Sequence, residues 1–370
     1  MDTPRQAPPA ESVWADELAF LASLDDGPRP PGWRLTPRMV VTFIVGSDDE
    51  LRGPTGRRRV APKFVGDRAL VERSVLTLAG TRGLLLVGEP GTAKSMLSEL
   101  LAAAISGTSE QTVQGSAGTT EDQLRYGWNY ALLVARGPCP EALVPSPVYS
   151  AMVAGSLVRV EEVTRCLPEV QDALVSILSD RRLAVPELGT VVHARPGFNL
   201  IATANLRDRG VSEMSSALKR RFNFETVHPI ADAAVELHLV QRQATAILAR
   251  TGLPPGVDAS VLQALVTVFR DLRSGRTEEG WSVEKPSTVM STAEAVSVAT
   301  TLGLSAAYFA QERDPLSDLP GHLLGVVTKD DPEDRGRLLA YWDGAVKRRA
   351  EGDARLWKRL YELRTALDHT

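Results

Sequence analysis

The sequence predicts an α/β chain, a three-layer αβα core with a parallel sheet, followed by an all-α portion. Three observations carry this. Residues 83–107 read as an apolar strand, a Gly/Pro-rich loop and a helix. A strand-like stretch at 111–114 and apolar strand-like runs at 157–160 and 198–204 then alternate with helical patterns, as a parallel sheet with covering helices requires. Past Pro229 the apolar spacing is helical throughout, so the boundary between the two portions falls close to that residue.

Residues 1–36 are Pro-rich and acidic with one helical interlude at 13–24, and read as a loosely attached tail. The stretch 52–62 reads as loop. A helix after Asp67 places Leu70, Val71, Val75 and Leu76 on one face and leads into the strand at Gly83. The helix that follows the Gly/Pro loop runs from Thr92 and stops at Gly107. Four prolines (Pro138, Pro140, Pro145, Pro147) make 136–147 an ordered loop rather than a strand or helix. After the strand at 157–160, Pro168 opens a helix with Val170, Leu174, Ile177 and Leu178 on one face. Segments 182–186 and 190–194, split by Glu187-Leu188-Gly189, read as a hairpin. A short helix at 212–219 precedes Arg220-Arg221-Phe222, and helix-spaced segments follow at 232–251, 258–273, 289–309, 335–349 and 353–367. The domain reading is a tail (1–36), a nucleotide-binding core (37–228), a helical lid (229–330) and C-terminal helices (331–370).

The bulk properties remove several function classes. The length of 370 residues allows two or three domains, and 43% apolar with 24% charged residues is ordinary for a soluble protein. A net charge of −4 gives no general reason to expect nucleic-acid binding. The basic clusters Arg57-Arg58-Arg59 and Lys347-Arg348-Arg349 read as solvated faces. Cys139 and Cys166 are too few for a disulfide framework. No apolar run has membrane-spanning length, and the N-terminus lacks a signal-peptide pattern, so a cytoplasmic location is expected.

The loop carries the chemistry. Gly88 and Lys94-Ser95 stand at the spacing of G-x-x-x-x-G-K-[ST], with Ala93 at the second glycine. The loop Gly88, Glu89, Pro90, Gly91, Thr92, Ala93, Lys94 and Ser95, through the backbone N–H groups of all but Pro90 and with the helix N-terminus behind them, would surround a triphosphate. Lys94 would reach the β- and γ-phosphates of ATP, and the Ser95 hydroxyl would ligate Mg²⁺. Glu161-Glu162 ends the next buried strand. Glu161, where Asp is usual, suits the metal shell, and Glu162 suits the group that orients the attacking water. Arg159 inside that strand has no evident partner. Asn205, at the tip of the following strand, suits an amide holding the lytic water or the γ-phosphate. Arg220-Arg221 would supply an arginine finger to a neighbouring subunit.

The order P-loop, Glu-Glu, strand-end Asn and Arg-Phe resembles the AAA+ ATPases, and within them the MoxR family. The resemblance rests on 88–95, Ser146-Pro147-Val148-Tyr149, Pro168 to Leu174, Ala202-Thr203-Ala204-Asn205 and Arg221-Phe222, and covers roughly residues 60–300. It implies an AAA+ αβα core with an all-α lid. It makes the 182–194 hairpin the insertion before sensor 1, puts a second insertion in 115–147, and favours Arg221 over Arg220 as the finger. It further implies Mg²⁺-dependent ATP hydrolysis in an oligomeric ring, often a hexamer, acting as a chaperone-like remodeler with a partner carrying a von Willebrand factor A (VWA) domain. Two departures stand out: Glu161 begins Walker B, and Lys285-Pro286-Ser287 is the nearest match to the sensor-2 Ser-Pro-Arg. The competing readings are the motor subunit of a metal chelatase and an ATP-binding scaffold that barely hydrolyses.

Overall fold

Five strands form the central sheet: β1 Gly83–Val87, β2 Thr112–Gln114, β3 Leu157–Glu161, β4 Asn199–Ala204 and β5 Phe222–Thr226. Their spatial order is β5-β1-β4-β3-β2, and every pairing is parallel. The computed structural model describes residues 6–54, 56–205, 211–252, 257–309, 315–329, 331–352 and 355–368. The first five residues of the tail and residues 353–354 of the last helical segment therefore lie outside the described residues.

β1 and β4 are buried along their whole length, which is why they read as predominantly apolar runs. β5 is not legible in that way, because Asn223, Glu225 and Thr226 break its apolar pattern. It forms because its backbone pairs with β1 from Phe222↔Gly83 to Thr226↔Val87. Arg73 also donates two hydrogen bonds, 2.9 and 2.8 Å long, to the Glu225 carboxylate. Pairing at a sheet edge outweighs weak local propensity here.

Two hydrophobic clusters flank the sheet. One gathers Leu84, Leu86, Leu157 and Ile201 against the helices Pro37–Val45, Arg68–Ala79 and Lys94–Ser106. The other gathers Leu85, Val158, Val160, Leu200 and Ala202 against Pro147–Ala154 and Pro168–Asp180. Two sequence expectations change here. Leu76 is 64% exposed, and Leu78 occupies the buried face instead. The stretch read as a loose tail is packed: helices Ala10–Val13 and Ala15–Ser23 bury Ala10, Phe20 and Leu21, and Trp33 and Leu35 are buried beyond them. Lys63 donates to the Glu17 carboxylate and to the Phe43 carbonyl, an ion pair that ties this segment to the core.

The hairpin at 182–194 forms as expected, from antiparallel strands Arg182–Val185 and Thr190–His193. The 136–147 stretch, read as an ordered loop without strand or helix, holds a strand and the start of a helix. Leu143–Pro145 pairs antiparallel with Tyr126–Trp128, and Pro147 occupies the first turn of the helix it opens. Proline is tolerated at both places, at the end of a two-stranded ribbon and at a helix start, because neither needs its missing N–H. Tyr126 donates a 2.8 Å hydrogen bond to Glu187, and Arg125 donates to the Ala184 carbonyl, so the ribbon and the hairpin are tied together. Part of the 52–62 loop is likewise a small hairpin, Leu51–Gly53 with Gly56–Arg58.

By its contacts the chain divides into two units, residues 1–89 with 93–228, and residues 229–370 with 90–92. The second is helical: Ala233–Arg250, Ala259–Ser274, Thr292–Phe309, Pro315–Val327, Glu333–Tyr341, Lys347–Glu351 and Arg355–Glu362. A single apolar cluster runs from Val240 to Leu367. Pro315–Val327 is absent from the sequence reading because Pro320, Gly321 and Gly325 mask it. Leu316, Leu319, Leu323 and Val327 nonetheless recur at helical spacing and are buried in that core. Among the described residues no helix is long and apolar enough to cross a membrane.

Candidate active site

The C-terminal ends of β1, β3 and β4 lie side by side in the sheet, and the loops that leave them carry the candidate residues. After β1, Gly91 and Ala93 both take left-handed backbone angles, φ 73° and 66°. This explains the glycine usual at the Ala93 position, since a side chain there is strained. Ala93 is the N-cap of the thirteen-residue Lys94–Ser106 helix. With no polar side chain to cap the first turn, its N–H groups are left to an anion. The Lys94 ammonium donates to the carbonyls of Gly88 (3.0 Å) and Glu89 (2.7 Å), which folds it back across the loop. Burial lowers its pKa, while the carboxylates of Glu162, Glu161 and Glu89 act in the opposite sense.

Glu161 ends β3 and is almost fully buried, at 5% exposure. Its Oε2 accepts from the hydroxyls of Ser95 (2.7 Å) and Thr203 (2.8 Å), and its Oε1 from Ser98 (2.6 Å) and the Arg159 guanidinium (2.8 Å). Burial alone would raise its pKa, but Arg159 and the three hydroxyls outweigh that and hold the carboxyl below its ordinary value. Arg159, without a partner in the sequence reading, thus has one two residues along its own strand. Glu162 follows in the left-handed region at φ 52°. Its N–H donates to the Thr203 hydroxyl, and its half-exposed carboxylate pairs with Arg165. Asn205 directly follows β4, one residue beyond the Ala204 that pairs with Val87.

The structure therefore brings together Lys94, Ser95 and Glu161, with Glu162 and Asn205 at neighbouring strand ends. It does not bring Arg221 to them. Arg221 precedes β5 and bonds through its carbonyl to the N–H of Gly83, at the start of β1. Its side chain donates to Ser179 Oγ and to the Ala217 carbonyl, and Arg220 beside it is exposed. Five residue steps of extended chain, roughly 17 Å, separate that end of β1 from Gly88. Sequence reasoning missed Ser98 and Thr203. Ser98 stands one helical turn beyond Ser95, and Thr203 two residues before Asn205, so helix and strand periodicity could have found both.

Residues 83–222 match the family described as AAA domain (dynein-related subfamily), and residues 234–368 match the YehL-like AAA+ ATPase C-terminal domain. The Escherichia coli protein YehL is 49% identical over 365 residues, which cover 98% of each chain. This chain belongs to the YehL-like AAA+ ATPases. A Staphylococcus haemolyticus protein is 33% identical over 142 residues, 38% of this chain and 53% of its own. Among solved structures, NtrX from Brucella abortus in complex with ATP is 15% identical with a TM-score of 0.49, over 83% of this chain and 70% of that one. The matched range 83–222 contains the loop 88–95, Glu161-Glu162 and Asn205. Ser287, in the stretch read as the nearest match to sensor 2, donates through its N–H and hydroxyl to Asp334.

Proposed function

We propose that this AAA+ chain hydrolyses ATP with Mg²⁺ in an oligomeric ring, and that it is a MoxR-type motor that remodels a partner protein. The observation that carries the reading is the division of the machinery between the two ends of one sheet. Lys94, Ser95 and Glu161 gather at the C-terminal end of β1 and β3, while Arg221 sits at the N-terminal end. A finger at that distance serves a nucleotide only on a neighbouring copy.

In this mechanism the loop N–H groups and the helix N-terminus bind the phosphates, and Lys94 leaves the Gly88 and Glu89 carbonyls to place its charge on the β- and γ-phosphates. The donor set of Ser95 hydroxyl and Glu161 carboxylate consists of hard oxygens and fits Mg²⁺. When bound there, Mg²⁺ would neutralise charge developing on the phosphate oxygens. Glu162 swings from Arg165 to take a proton from the attacking water, Asn205 orients that water, and Arg221 of the next subunit stabilises the transferring group. The Tyr126–Trp128 ribbon and the Arg182–His193 hairpin, linked through Tyr126 and Glu187, carry the motion to a client, a VWA-domain protein by analogy with MoxR rings.

The test is a mixture of two inactive variants, Arg221→Ala and Glu162→Gln. Mixed rings pair an intact Glu162 site with an intact finger at some interfaces, so part of the ATPase activity should return. Free subunit exchange with no recovery would sink the shared site. A second reading, an ATP-binding scaffold with little turnover, is favoured by the Glu162–Arg165 ion pair, which occupies the proposed base. A steady-state ATPase assay of the wild-type chain separates the two.

A further inference from the structure

Along β3, Leu157 packs with Leu97, Leu100 and Leu101 of the P-loop helix, while Val158 and Val160 pack on the opposite face. Arg159 and Glu161 share the helix-facing row with Leu157, and their side chains are 11% and 7% exposed. An arginine in that row is unexpected on burial grounds, because an unpaired buried charge is costly.

The arrangement accounts for every donor it carries. Nε donates to Ser98 Oγ at 2.9 Å, and one terminal nitrogen donates to the Ser109 carbonyl at 3.2 Å and Thr112 Oγ1 at 3.4 Å. The other donates to the Ser95 carbonyl at 3.1 Å and to Glu161 Oε1 at 2.8 Å. All five N–H groups of the guanidinium are thereby used. The four acceptor positions of the Glu161 carboxylate are likewise taken, by Arg159, Ser95, Ser98 and Thr203. Glu161 is also one methylene longer than the aspartate usual at its position, and the guanidinium braces that longer arm at its far oxygen.

We propose that Arg159 is a positioning residue and the resident counter-charge of Glu161. It holds that carboxylate, and through it the Ser95 hydroxyl, in ligating register before any divalent cation arrives. It also fastens the edge strand β2 to the P-loop helix through Thr112 and Ser95. The proposal rests on the reading of Glu161 as the carboxylate of the metal shell. Its consequence is that order at the loop does not depend on metal in the wild-type chain and becomes dependent on metal when Arg159 is removed.

The experiment is a double-variant cycle on the full chain, read by thermal unfolding in EDTA and again in Mg²⁺ without nucleotide. Arg159→Met leaves a buried carboxylate uncompensated, so the Tm in EDTA should fall by roughly 10 °C. Glu161→Gln placed on that background removes the orphaned charge and should restore at least half of the loss. Arg159→Lys should lie between wild type and Arg159→Met, since it keeps the charge but not the fork. Mg²⁺ should raise the Tm of Arg159→Met by several degrees more than it raises that of the wild type. A double variant less stable than either single variant, or an Mg²⁺ response equal to wild type, would overturn the proposal, because an arginine that merely fills space gives both results. If Arg159→Met does not fold, the double variant still decides: it should fold, and its failure to do so has the same overturning force. None of these readouts contains nucleotide. A wild-type chain that binds no Mg-ATP while the cycle behaves as expected would refute the proposed function and leave the pairing intact.

Discussion

Ala93 is held at φ 66° and ψ 25°, in the left-handed region that costs a residue with a side chain about 1–2 kcal/mol. Ala93→Gly relieves that strain but gains entropy in the unfolded chain worth about 0.4–1 kcal/mol. A small net stabilisation of about 0.5 kcal/mol is expected, read as a rise in the urea midpoint at constant slope. A drop in the midpoint would mean that the Ala93 methyl, which packs with the P-loop-side cluster, contributes more than its strain removes. Lys94→Ala should weaken ATP binding on the order of 100-fold, the scale of a lost charge-assisted contact. Titration calorimetry with ATP measures this directly, and unchanged affinity would remove the P-loop assignment. Glu162→Gln, by contrast, should bind ATP as the wild type does and fail to turn it over.

At the scale of elements, the N-terminal segment is tied to the core by a buried ion pair rather than by sequence-local contacts. Lys63 and Glu17 have side chains only 5% and 9% exposed, and the ammonium also lies 4.3 Å from the Phe43 ring centroid. Lys63→Ala would leave Glu17 buried without its partner and should cost about 3–5 kcal/mol. Denaturant unfolding checks this, and a loss under about 1 kcal/mol would mean that the segment is held by its apolar contacts alone. The helical unit carries its own ion-pair network. Arg349 donates to Glu279 and Asp271 and lies 4.7 Å from the Trp357 ring centroid, and Glu236 accepts from Arg270, Arg273 and Thr292. The hydrogen bond from Arg349 lowers the Glu279 pKa from 4.5 to about 2. Glu236 is lowered as well, burial being outweighed by Arg273, Thr292 and Arg270. Folded values below the unfolded ones mean stability that is present above pH 4.5 and lost as pH falls toward 2. Asp271, raised by burial despite Arg349, works in the opposite sense. Glu279→Gln should therefore flatten the acid limb of a Tm-against-pH series, and an unaltered limb would exclude Glu279 as a source.

At the scale of the whole molecule, the separation of Arg221 from the P-loop end of the sheet makes its proposed role one that an assembly would have to supply. Arg221→Ala should leave ATP affinity close to wild type and cut turnover roughly 10³-fold or more, the scale on which finger removal acts. Arg220→Ala should have little effect, since that side chain is exposed. Equal losses from the two variants would argue for a general basic patch rather than a finger. Affinity lost together with turnover would place Arg221 in the folding of its own chain, where it already bonds to Ser179 and Ala217.

The sequence by itself determined the chemistry-bearing stretches and most of the sheet. Predominantly apolar runs mark β1, β3 and β4 because both faces of those strands are largely buried, and the Gly/Pro loop marks the proposed anion site because such a backbone turns sharply onto a helix N-terminus. Tertiary structure alone decided the rest. β5 and the Leu143–Pro145 strand are polar or proline-bearing, and exist because a neighbouring backbone pairs with them. The Pro315–Val327 helix forms around an internal proline because Leu316, Leu319 and Leu323 must be buried. The cage draws to Glu161 residues up to 66 positions away from it in the chain, and no local pattern records such a meeting. Arg159 is the clearest case. In the chain it is a misplaced charge in a buried strand, and only the fold supplies the carboxylate, hydroxyls and carbonyls that use all five of its donors.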